Sequence, residues 1–134
     1  MEMIVDFPGG ARVDTHFGPF TVKTDQPVMG GGSGSAPTPF ATFLASIGAC
    51  AGIYVLSFLQ QRSLPTDGVR LVQRSYSDPM TGMVNKIDVE IQVPEDFPER
   101  YLPALIRTAD FCAVKKHLLN PPHIEVTAKA VSAA

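Results

Sequence analysis

The chain has 134 residues, 45% of them hydrophobic and 18% charged, with a net charge of −2. That length fits one domain with a modest core. The near-neutral balance excludes the basic footprint that nucleic acid or anionic lipid would require.

The opening MEMIVDFPGG lacks a basic start followed by an apolar run, so no signal peptide is expected and the cytoplasm is the expected compartment. MIVDF and ARVDTHF flank a PGG turn, and FTVKTD follows FGP, which predicts a small antiparallel meander. VMGGGSGSAPTP is then a loop, too rich in Gly, Ser and Pro for regular structure. A helix should begin at its end, with Thr38 as N-cap and Pro39 in the first turn, where a missing N–H costs nothing.

That helix runs through PTPFATFLASIGACAGIYVLSFLQQR, which carries no charge before Arg62. Apolar residues recur at helical spacing and Cys50 shares their stripe, while the other face is small rather than charged. The helix is therefore expected to be buried on most sides. Phe40 to Leu59 would also be long enough to span a bilayer. The flanks, however, have no basic cluster or aromatic belt, and the strands need a hydrophobic partner, so a core helix is expected and no membrane.

Beyond RSLPTDG, the segments VRLVQRSYS and VNKIDVEIQV alternate as strands, joined by DPMTG. Glu95 to Asn120 reads as helical, broken near Cys112, with a short helix over AVKKHLLN. HIEVTAKAV should close the chain as a strand with Ile124, Val126, Ala128 and Ala130 on one face. The order ββ(β)–α–ββ–α–α–β makes an α+β domain.

With no export expected, Cys50 and Cys112 read as thiols, metal ligands or a redox pair rather than a structural staple. Each also has a plain reading as a packed, buried side chain. A helix restarting at Cys112, with Lys115 and Lys116 one turn on, would favour a thiolate there. If the two thiols meet in the fold, one can attack a peroxide and the other can condense with the resulting sulfenic acid. A cation would have to orient the peroxide, and Arg12 after the PGG turn is the candidate. A zinc site from Cys50, Cys112, His16, His117 and His123 lacks any close ligand pair, so no metal and no other cofactor is expected. GGGSGS lacks the Gly-Lys-Ser/Thr ending of a phosphate loop and reads as a flexible connection.

In order along the chain, the Gly-rich loop running into PTPFATFLASIGAC, the continuation AGIYVLSFLQQR, the later CAVKKHL and the N-terminal glycine turn with its arginine resemble the OsmC/Ohr family of organic hydroperoxide reductases. The resemblance spans essentially the whole chain and implies a single OsmC-like domain over residues 1–134. It implies antiparallel sheets wrapped around a long buried central helix, an intertwined homodimer, and an active site at the subunit interface. By the same resemblance, Cys50 is the peroxidatic thiol, Cys112 the resolving thiol and Arg12 the arginine that stabilises the thiolate. The expected substrate is an organic hydroperoxide and the expected reductant a dithiol, such as a lipoyl group, with no haem, flavin or metal.

One position departs from the family pattern. Phe40 stands where the hydroperoxide reductases carry the glutamate that pairs with the arginine, and Asp14 and Asp110 are the carboxylates considered as substitutes. The resemblance therefore implies a divergent branch. Two further readings stand beside the peroxidase: a binder of hydrophobic small molecules, and a redox sensor that forms the disulfide without turnover.

Overall fold

The computed structural model describes residues 1–133. Strands β1 (Ile4–Gly9), β2 (Arg12–Phe17) and β3 (Phe20–Thr24) form the expected antiparallel meander. Both turns depend on glycine: Gly10 has φ 58° and Gly18 has φ 54°, where a Cβ would be strained. The sheet's two faces differ. One carries Asp6, Asp14, His16, Thr21 and Lys23; the other carries Val5, Phe7, Val13, Phe17 and Phe20, with Phe7 and Phe20 largely exposed.

Helix α1 (Pro39–Gln61) starts where the sequence places it. The Thr38 hydroxyl accepts the Ala41 N–H at 3.1 Å, and Pro39 occupies the first turn. At the other end Ser63 turns left-handed, and the Leu64 N–H returns to the Leu59 carbonyl at 2.9 Å. Strands β4 (Arg70–Ser77) and β5 (Val84–Gln92) form an antiparallel hairpin around the DPMTG turn. A 3-10 turn at Glu99–Tyr101 leads into α2 (Leu102–Ala109), and α3 (Ala113–Leu119) follows the break expected near Cys112. Regular helix over 95–120 is shorter than expected, because Pro94 and Pro98 hold the lead-in out of the α region.

The core lies at the C-terminal half of α1. Val55, Phe58 and Leu59 pack on Leu105 of α2, with Leu71, Ile91, Val93, Phe97 and Tyr101 closing the sides. The Arg62 guanidinium stacks 3.6 Å above the Phe58 ring, and the Tyr101 ring meets Phe58 edge-on. By length and composition α1 could cross a membrane, yet it also supplies most of this core.

Two expectations about burial and pairing need correction. First, α1 is not enclosed on most sides within the chain: Ile47, Ala51, Val55, Phe58 and Leu59 are buried, whereas Phe40, Phe43 and Ile53 are exposed. The hairpin and α2 cover one flank, and the three-stranded sheet makes no extensive contact with the helix of its own chain. Second, His123–Val131 is not a strand. The segment is exposed and pairs with neither sheet of its own chain. Alternation specifies what a strand would bury, but the ladder also requires a neighbour.

Candidate active site

The break between α2 and α3 builds the site. The Asp110 N–H makes the last α2 bond, to the Ile106 carbonyl, and Cys112 is extended at φ −48°, ψ 127° as the N-cap of α3. This turn lays Cys112 onto α1, where it is 2% exposed, with Sγ 4.0 Å from the Ile47 carbonyl oxygen. Cys50 follows Ile47 by one helical turn and is half-buried. The structure thus brings together two free thiols that lie far apart in the sequence.

Their electrostatics differ because their surroundings differ. The Cys112 thiol and the backbone N–H groups of Val114 and Ala113 hydrogen-bond the Cys50 sulfur and lower its pKa, against an opposing effect of burial. Burial raises the Cys112 pKa first, and its interaction with Cys50 adds to that. This reverses the expectation of a thiolate at Cys112: the Lys115 and Val114 N–H groups at the start of α3 do favour it there, but burial outweighs them. Lys115 pairs with Asp110, and Lys116 lies 5.4 Å over the Phe111 ring, so both lysines have other partners.

A largely apolar cavity of about 600 Å³ opens beside Cys112, lined by Ile47, Ala51, Val89, Leu105 and Ile106. A second apolar hollow of about 510 Å³ lies toward the start of α1, where Phe40 and Phe43 face Met83 and Val84. Their rings are 5.7 Å apart. Ile87 and Leu118 border both spaces. Phe40 therefore contributes an aromatic wall where a carboxylate would have supplied charge.

Arg12 is not brought to Cys50 within the chain. It lines a separate hollow of about 470 Å³ with Gly9, Gly10, Gly32, Ser33 and Ser35. Its Nε donates to the Gly9 carbonyl at 3.2 Å and Nη2 to the Pro8 carbonyl at 3.3 Å. Neither suggested carboxylate pairs with it. Asp14 sits with Asp6 and His16, Asp110 is held by Lys115, and Arg12 makes no ion pair among the described residues.

The histidines are also dispersed. His16 Nε2 lies 3.1 Å from Asp6 Oδ1 and Nδ1 lies 3.0 Å from Thr21 Oγ1, while His117 Nδ1 contacts the Ala113 carbonyl at 2.6 Å. The donor atoms of Asp6, Asp14 and His16 lie within 4.8 Å of one another, a spacing that could hold a metal ion, on the polar face of the first sheet and apart from both cysteines.

Sequence reasoning missed Asp25. This buried carboxylate accepts the Ser35 hydroxyl at 2.6 Å, the Ser35 N–H at 3.1 Å, the Ser33 hydroxyl at 2.9 Å and the Gln26 N–H at 2.7 Å. Those bonds, led by the Ser35 hydroxyl, hold its pKa far below the usual carboxylate range. They also shape the Gly-rich loop beside Arg12. The loop cannot accept a side chain at Gly32, whose added Cβ would lie 2.1 Å from the Gln26 carbonyl oxygen. The serines spaced after a strand-end aspartate were the available signal.

Solved structures share this architecture. A Psychrobacter arcticus protein assigned to the osmotic stress induced and detoxification response has a TM-score of 0.70 at 20% identity, covering 85% of each chain. A hypothetical protein from Aquifex aeolicus gives 0.63 at 14% identity over 90% of this chain and 87% of its own. The organic hydroperoxide resistance protein OsmC of Legionella pneumophila gives 0.54 at 21% identity, over 88% and 89%. No curated protein sequence matches the chain. At these identities the likeness establishes the fold alone. The family model for OsmC-like proteins, however, matches residues 31–127, which contain the Gly-rich loop, α1 with Cys50 and the turn with Cys112. The chain therefore belongs to the OsmC family, on a branch divergent from its solved relatives.

Proposed function

We propose that the chain is a thiol-dependent peroxidase that reduces organic hydroperoxides to alcohols. The observation that carries this reading is the placement of the Cys112 thiol on α1 one turn from the half-buried Cys50, with the start of α3 beside it, which lowers the Cys50 pKa. A sulfur so held is biased toward thiolate, the nucleophilic form. Cys50 attacks the distal peroxide oxygen, the O–O bond breaks, and the departing alkoxide takes a proton from solvent to become the alcohol. The Cys50 sulfenic acid then condenses with the Cys112 thiol, releasing water and forming the disulfide. A dithiol of the lipoyl type restores both thiols by exchange and is itself oxidised to a disulfide. No metal or organic cofactor enters this sequence.

The proposal treats residues 1–134 as one OsmC-like domain acting in the cytoplasm as an intertwined homodimer. Three features support the dimer: the exposed apolar face of the first sheet, the uncovered stretch of α1, and the alternating His123–Val131 segment without a strand partner. In such a dimer, Arg12 would act on the Cys50 of the partner subunit, consistent with its distance from Cys50 of its own chain.

A second reading rests on Phe40. With an aromatic wall in place of the family glutamate and two adjoining apolar spaces, the protein would bind a hydrophobic molecule, or sense oxidants through its disulfide, with little turnover. Consumption of cumene hydroperoxide with dihydrolipoamide, by wild type, Cys50→Ser and Cys112→Ser, separates the two. The peroxidase requires saturable turnover that Cys50→Ser abolishes and that Cys112→Ser leaves prone to over-oxidation. A rate equal to that of the dithiol alone, from folded protein, would favour binding or sensing.

A further inference from the structure

The two thiols also carry a chemistry that needs no peroxide. Both are free, and Cys112 Sγ lies over α1 one turn from Cys50. Each sulfur has a short side chain on a defined backbone, Cys50 within α1 and Cys112 at the extended residue before α3. Among the described residues no third His, Cys, Asp or Glu clusters with them: His117 is turned onto the Ala113 carbonyl, His16 is held by Asp6 and Thr21, and Asp110 is taken by Lys115. A zinc centre needs three or four protein donors, so this pair is too few for zinc. Soft sulfur ligands suit Cu(I), zinc and iron–sulfur clusters, and of these only Cu(I), with its filled d shell, is satisfied by two donors. The wall beside Cys112 is mainly apolar, with Ile47, Ala51 and Leu105, and Glu90, Asp110 and Lys115 also line it.

We propose that Cys50 and Cys112 form a two-coordinate dithiolate site for Cu(I). Each thiol loses one proton and each sulfur forms one bond to the ion, with no change in oxidation state. The product carries a single negative charge, which the N–H groups of Ala113 and Val114 offset. Occupancy removes the free Cys50 sulfur, so Cu(I) blocks any electrophile that reacts there. The site depends only on the placement of the thiols and holds whether or not they turn over a hydroperoxide.

The test titrates the reduced full chain, without oxygen, against the coloured Cu(I) complex of bicinchoninate. The wild type should withdraw one Cu(I) per chain, and both Cys50→Ser and Cys112→Ser should lose that capacity. Because Cys112→Ser alters a buried position, the alkylation rate of Cys50 in the wild type serves as a second measure. One equivalent of Cu(I) should suppress it, and one equivalent of Zn(II) should not. Failure of wild type with both thiols titratable to compete with bicinchoninate would overturn the proposal, as would full withdrawal by either serine variant. Loss of hydroperoxide turnover alone changes neither readout, so the two proposals fail separately.

Discussion

The Sγ of Cys112 lies 4.0 Å from the carbonyl oxygen of Ile47, one turn before Cys50 on the same helix. That contact lays the start of α3 on α1, and burial there separates the two thiols. The buried sulfur keeps its proton and donates, and the half-buried sulfur receives. Alkylation by iodoacetamide at neutral pH should therefore label Cys50 well before Cys112. The midpoint of the Cys50 rate against pH should lie below the ordinary thiol value of 9.0. Ala113→Pro sharpens the test. Proline suits the first helical position, and Cys112 already has the extended backbone that must precede it. The variant removes one N–H from Cys50, so the midpoint should rise while α3 remains. An unchanged midpoint in folded protein would refute the role given to that N–H.

Leu105 is fully buried and joins α2 to Val55, Phe58 and Leu59 of α1. Leu105→Ala leaves a cavity in the only buried cluster of large side chains among the described residues, at a cost of about 2–5 kcal/mol. In a chain of this size, that loss takes a large share of the total stability. Urea melts should show a lower midpoint with little change in slope. A loss under about 1 kcal/mol would mean that the site relaxes around the deletion, or that the core lies elsewhere in the assembled protein.

Local features were legible in the sequence, and tertiary ones were not. Thr38 and Pro39 mark the start of α1 because a cap is made within one turn, and glycine marks the turns at Gly10 and Gly18 because positive φ is a property of the residue. The break before α3 was also readable. The final strand was not, since the alternation of Ile124 and Val126 does not say which edge, if any, the segment pairs with. The two cysteine contexts pointed to the site, but which thiol is activated depends on a turn that buries Cys112 against α1 and leaves Cys50 half-buried. The position of Arg12 depends on how a sheet docks, and the described chain leaves that sheet undocked.

Asp25 links the end of β3 to the Gly-rich loop, and its effect on stability follows from the direction of its shift. Its folded pKa lies below the unfolded value of 3.8. Its stabilising contribution is thus complete above that value and is lost as pH falls through the folded pKa. Asp25→Asn should lower stability at pH 7, because Ser33 and Ser35 lose a charged acceptor. It should also flatten the decline in stability below about pH 4 relative to wild type. Parallel acid declines in the two proteins, followed by circular dichroism, would show that the loop does not depend on the charge.

Gly52 tests the uncovered side of α1. A Cβ built there meets nothing within 4 Å in its own chain. In an isolated chain, Gly52→Ala should therefore stabilise the helix by up to about 1 kcal/mol, through helix propensity alone. In an intertwined dimer, where the exposed stretch of α1 near Ile53 faces a partner, the same methyl would press on the other subunit. The dimer reading predicts that Gly52→Ala weakens association in sedimentation at low micromolar concentration. It also predicts a thermal midpoint below that of wild type at micromolar concentration, with a weaker dependence on protein concentration. A variant that is simply more stable at every concentration would leave this face of α1 free of any partner and would move the interface to the first sheet.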